Sequence, residues 1–170
     1  IFTVGGSGDG SGSGAGSISF GNVSTGTIYQ PVTISNSGGS TLVYNTGTIG
    51  ATGPVSSAPI FTISGQGDGS GEGAGSVSFG NVSTGTILQP VAIVTSGANT
   101  TVYNSGTLGA TGPVSSAPIF TISGQGDGAV GGSGNISFGN VGTIYQPVVI
   151  SNSGGTSTTI YNGGSLGAAG

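Results

Sequence analysis

The chain has 170 residues, 40 of them glycine, and a formal net charge of −4 carried by four acids, with no Lys, Arg, His or Cys. Without cations it cannot displace counterions from phosphates, which argues against nucleic acid as a partner. Without His, Cys or Lys it lacks the usual general bases and the Ser-His and Cys-His pairs, so neither enzyme activity nor a cofactor is expected. No apolar run approaches the ~20 residues of a membrane-spanning helix. No stretch joins good helix formers to a 3.6-residue apolar stripe. The missing initiator Met and signal segment read as a mature or internal fragment. The apolar third is β-branched or aromatic and clustered, so the expected class is all-β with Gly-rich connectors.

In chain order, "IFTV" at Ile1–Val4 reads as a first strand, and "GSGDGSGSGAG" after it as a connector. Strands are then expected at Ser17 to Val23, Thr27 to Ser35 and Thr41 to Ile49. In Thr27 to Ser35, Ile28, Val32 and Ile34 share one face while Tyr29, Thr33 and Ser35 take the other, as in a half-buried strand. Pro31, with no N–H for a ladder, implies an edge or bulge there. "NSGG" at Asn36 predicts a tight turn into the next strand.

The pattern then repeats. "IFTVGGSGDG" at residue 1 returns as "IFTISGQGDG" at 60 and 119, a period of 59 residues, and "FGNVSTGTI" at Phe20 is rewritten at Phe79. Pro90 and Pro147 recur where Pro31 stood, and "TSGAN" at Thr95 replaces "NSGG". The third copy shortens the phrase to "FGNVGTI". Three β-repeats are therefore expected, at 1–59, 60–118 and 119–170, the third truncated. Four short strands bury too little to stand alone, so adjacent repeats are expected to share a sandwich core.

"SISFGNVSTGTIYQPVTISNSGGSTLVYNTGTI" followed by "PIFTISG" resembles the Hydin-type (ASH) immunoglobulin-like modules and the related bacterial choice-of-anchor repeats. The likeness rests on Phe20, Gly21, Val23, Gly26, Thr27, Val32, Ile34, Asn36, Gly38 and Phe61, and departs at Thr95, where Asn would be expected. It implies tandem immunoglobulin-like β-sandwiches with a scaffolding or surface role. The family's later strands are missing, so a complete sandwich would need two repeats or a strand lent by a neighbour.

Few residues invite chemistry. Asp9, Asp68 and Asp127 fall at one place in each copy and are weak calcium candidates, because calcium wants six to eight oxygens and each loop offers one or two acids. Asp68 and Glu72 are the only neighbouring carboxylates. Asn22, Asn81, Asn99 and Asn135 begin Asn-x-Ser/Thr triplets, the pattern for N-glycosylation. Tyr44, Tyr103 and Tyr161 suit a core or interface anchor better than a carbohydrate platform. Phe20, Phe61, Phe79, Phe120 and Phe138 are the expected core pins.

The function these features predict is structural: an extracellular or cell-surface filament whose subunits join head to tail, with other copies of itself and attached glycans as the expected partners. The Ile1-Phe2-Thr3-Val4 strand would be donated to the next subunit. The alternatives are an adhesin stalk or glycan-binding surface repeat, or a repeat stiffened by calcium.

Overall fold

The computed structural model describes residues 2–7, 16–51, 58–66, 76–110, 117–125, 134–153 and 157–167. The strands form six successive coils of three. Coil 1 is β1 (Phe2–Ser7), β2 (Ile18–Asn22) and β3 (Thr27–Ile28), and coil 2 is β4 (Val32–Ser37), β5 (Thr41–Asn45) and β6 (Thr48–Ile49). Coil 3 is β7 (Phe61–Gln66), β8 (Val77–Asn81) and β9 (Thr86–Ile87), and coil 4 is β10 (Val91–Ser96), β11 (Thr100–Asn104) and β12 (Thr107–Leu108). Coil 5 is β13 (Phe120–Gln125), β14 (Ile136–Asn140) and β15 (Thr143–Ile144), and coil 6 is β16 (Val148–Ser153), β17 (Thr158–Asn162) and β18 (Ser165–Leu166).

Like strands of successive coils pair into three six-stranded sheets, A (β1-β4-β7-β10-β13-β16), B (β2 through β17) and C (β3 through β18). Every pairing is parallel and in register: Phe2 faces Val32, Val32 faces Phe61, and Phe61 faces Val91. The molecule is a β-solenoid, and one 59-residue repeat is two coils.

This corrects the expectation of immunoglobulin-like sandwiches. Such a sandwich packs two antiparallel sheets joined by Greek-key connections, whereas each strand here pairs with strands one whole coil away and in its own direction. The predicted strand Thr27 to Ser35 is two strands, β3 and β4, in different sheets, and Thr41 to Ile49 likewise divides into β5 and β6. Pro31, Pro90 and Pro147 mark neither an edge nor a bulge. Each stands at the corner before a sheet A strand, where the missing N–H is not needed, and its carbonyl accepts from the coil on one side, as in Phe2 N–H to Pro31 O at 3.0 Å. The "NSGG" segment, with Gly38 at φ 77°, bends the chain from sheet A to sheet B and makes no hairpin.

Alternation of side chains along each strand turns one set inward. The inward set forms one continuous core through all three copies, including Ile34, Ile63, Ile93 and Ile122 from sheet A and Ile49, Ile87, Leu108 and Ile144 from sheet C. The corner after each sheet B strand takes two forms. In coils 1 and 3 the Ser-Thr of "FGNVSTGTI" makes a wider turn with Ser24 and Ser83 left-handed, at φ 51° and 52°. In coil 5 those two residues are absent, and Gly142 closes the same tight turn that Gly47 and Gly106 close in coils 2 and 4. A Cβ at Gly106 would strike the Gly85 carbonyl and one at Gly142 the Gly106 carbonyl, so these turns require glycine.

Candidate assembly site

Two columns of side chains run along the core. The first explains why the repeat is two coils long. Strands of adjacent coils lie about 4.8 Å apart, so a Phe on every coil would stack in the disfavoured face-to-face sandwich. Instead Phe2, Phe61 and Phe120 alternate with Val32, Val91 and Val148 in sheet A, and Phe20, Phe79 and Phe138 alternate with Val43, Val102 and Ile160 in sheet B. Phe2, Phe20, Phe61, Phe79 and Phe120 then meet in tilted or edge contacts, with centroids 5.1 to 6.2 Å apart. Phe61, Phe79, Phe120 and Phe138 are buried and Phe20 is half-buried.

The second column is polar. Every sheet B strand ends in Asn, and Asn22, Asn45, Asn81, Asn104, Asn140 and Asn162 stack at one corner. Each Nδ2 donates to the Oδ1 of the Asn on the next coil, at 2.8, 2.7, 2.8, 2.7 and 2.7 Å in turn. The remaining Nδ2 hydrogen reaches a turn carbonyl, such as Asn45 to Gly47 O at 3.1 Å and Asn81 to Gly85 O at 3.0 Å. A buried amide is costly unless its groups are paired, and repetition supplies the partner. All five bonds point the same way along the axis. The sequence carries a signal for this column, Asn recurring at spacings of 23, 36, 23, 36 and 22 residues, although Asn22 and Asn81 also begin Asn-x-Ser triplets that point to a different role.

In the first and last of the described coils the core side chains are exposed. Phe2 is 54% exposed, while its equivalents Phe61 and Phe120 are 0% exposed. At the other end Leu166 and Ile160 are each 63% exposed, while Leu108 and Val102 at the same positions two coils earlier are 0% and 2%. Here Phe138, Ile144, Val148, Ile150, Ile160 and Leu166 line an open apolar basin of about 550 Å³.

The other candidates are dispersed. Asn22 and Asn81 belong to the buried column, with the nitrogen a sugar would need donating inside it. Asn99 and Asn135 are half-buried at the corner between sheets A and B, where Asn135 N donates to Asn99 Oδ1 at 3.0 Å and Ser157 N to Asn135 Oδ1 at 2.9 Å. Tyr44, Tyr103 and Tyr161 do not enter the core: they form an exposed row on the outer face of sheet B, alternating with Gly21, Gly80 and Gly139. Phe2, Thr3 and Val4 of the expected donor strand pair with β4 of their own chain. Ile1, Asp9, Asp68, Glu72 and Asp127 lie outside the described residues. Among the described residues no group of His, Cys, Asp or Glu could hold a metal, and no helix is long and apolar enough to cross a membrane.

No protein-family model matches the chain, no curated protein matches it, and no solved structure matches it.

Proposed function

We propose that this chain is a structural protein, the subunit of an extracellular filament built by adding copies end to end. The observation that carries this reading is the unbroken parallel, in-register pairing of all six coils, which lets a further coil be added in the geometry already used five times. Apolar faces flanked by free parallel strand edges favour association. Since β1 is already paired with β4, coupling by whole coils replaces donation of a strand.

Negative-stain microscopy and fibre diffraction test the reading. Long unbranched fibres with a spacing of about 4.8 Å along the axis are expected; a population that stays as dispersed short rods at high concentration overturns it.

The exposed tyrosine row favours a second reading, an adhesin stalk or glycan-binding surface. Tyr44, Tyr103 and Tyr161 recur every second coil, about 9.6 Å apart, on a face otherwise carrying Ser19, Leu42, Ser78, Thr101, Ser137 and Thr159. Sedimentation with insoluble neutral polysaccharides tests it: binding lost in Tyr103→Ala supports a glycan surface, and no binding by the parent chain removes it.

A further inference from the structure

We infer that the junction between copies repeats the junction between coils: the β16–β18 coil of one copy receives the β1–β3 coil of the next, in the register and direction used inside the chain. This rests on the filament reading above. Within the molecule each Val coil is followed by a Phe coil, in the pairings Val32 to Phe61, Ile34 to Ile63, Thr41 to Val77 and Asn45 to Asn81. Coil 6 is a Val coil and coil 1 a Phe coil. The same rule places Phe2 of the incoming copy opposite Val148, Val4 opposite Ile150, Ile18 opposite Thr158 and Asn22 opposite Asn162.

Size and polarity both select this partner. The basin over coil 6 corresponds to the space over coils 2 and 4 into which Phe61 and Phe120 project, meeting the sheet B Phe two coils earlier, Phe20 and Phe79, at 5.3 and 5.1 Å. Phe2 of a second copy would meet Phe138 in that way. The amide column ends with Asn22 Oδ1 facing out at one end and Asn162 Nδ2 at the other, because every donor points from lower to higher coil. A second copy in the same direction sets donor against acceptor. A copy turned end for end sets two acceptors together with Phe coil on Phe coil, or two donors together with Val coil on Val coil. The contact is therefore heterologous and does not close, which gives a polar fibre.

The chain has no cysteine, so introduced thiols report the junction alone. Ser19 and Thr159 are exposed on sheet B and would be neighbours across the junction, as Leu42 and Ser78 or Thr101 and Ser137 are within the chain. Cα atoms of neighbouring strands fall within disulfide range. The double variant Ser19→Cys/Thr159→Cys should give, after oxidation of assembled fibres, a non-reducing gel ladder of dimers, trimers and longer species. Each single variant should stop at dimers at most, and Ser19→Cys/Ser137→Cys, offset by one coil, should give no ladder. Gly21→Cys/Tyr161→Cys tests the same register if the first pair folds poorly. Fibres that form without a ladder from either in-register pair, or with an equal ladder from the offset pair, overturn this junction and leave the filament reading intact. A chain that forms no fibres at all overturns both.

Discussion

Two corners of the same coil solve the same problem differently. After sheet B every coil places an Asn, and each Oδ1 receives the amide of the coil before it from Asn45 to Asn162. At the corresponding position in sheet A the residues run Gly6, Asn36, Gly65, Thr95, Gly124, Asn152. With glycine on either side, Asn36 has no amide neighbour above or below. It donates to Ser40 O and Thr41 Oγ1 at 3.1 and 3.3 Å, and its buried Oδ1 finds no partner, as is also true of Asn152. Thr95, the departure noted from sequence, instead exchanges a hydroxyl hydrogen bond with Thr100 at 2.8 Å. An uninterrupted column makes each inner member indispensable to two others, while an alternating one leaves each residue to local arrangements that can change.

Four substitutions test that contrast, read as denaturation midpoints at fixed protein concentration, since assembly would shift them. Asn81→Leu has the largest expected effect: it strips an acceptor from Asn45 and a donor from Asn104, at about 1–3 kcal/mol for each orphaned group. A loss under ~0.5 kcal/mol would mean the column contributes little beyond its shape. Thr95→Val should cost about 1 kcal/mol by removing the hydroxyl partner of Thr100. Asn36→Thr should be neutral or stabilising by up to ~1 kcal/mol, because it removes an orphaned acceptor and can form with Thr41 the pair that Thr95 forms with Thr100. Clear destabilisation there would mean the Asn36 amide donors matter more than its acceptor. Asn162→Ala removes the acceptor of the Asn140 amide where water can take its place, so it should change unfolding of the dispersed subunit by no more than ~0.5 kcal/mol, while slowing fibre growth measured by light scattering.

Much of the architecture was written in the residues. β-branched clusters separated by Gly, Pro and Asn made the class legible, and the 59-residue period made repetition legible. The direction of winding was not. Inward and outward positions alternate identically in parallel and antiparallel strands, so Ile28, Val32 and Ile34 looked like one face of a single strand although Tyr29 to Pro31 turn a corner between two sheets. The "FGNV" and "NSGG" segments that carry the likeness to immunoglobulin-like modules do form a strand and a bend, but a bend does not specify whether the next strand folds back or carries on round. The asparagine spacings held that information. Two in-register residues per period, Asn22 with Asn45 and Asn81 with Asn104, mean two equivalent layers per period. The open ends were not readable at all, since exposure at Phe2 or Leu166 emerges only once the neighbours of Phe61 and Leu108 are known.

The shortened turn at Gly142 has a wider consequence. Losing two residues there left the pairing of β14 with β11 and β17 unshifted, because each layer answers only to the layers it touches. Gene segments encoding one period can therefore be gained or dropped without redesign of the rest, each changing the length by about 9.6 Å. Such a protein is a ruler graduated in its own sequence, and its reach can evolve in whole steps by unequal recombination.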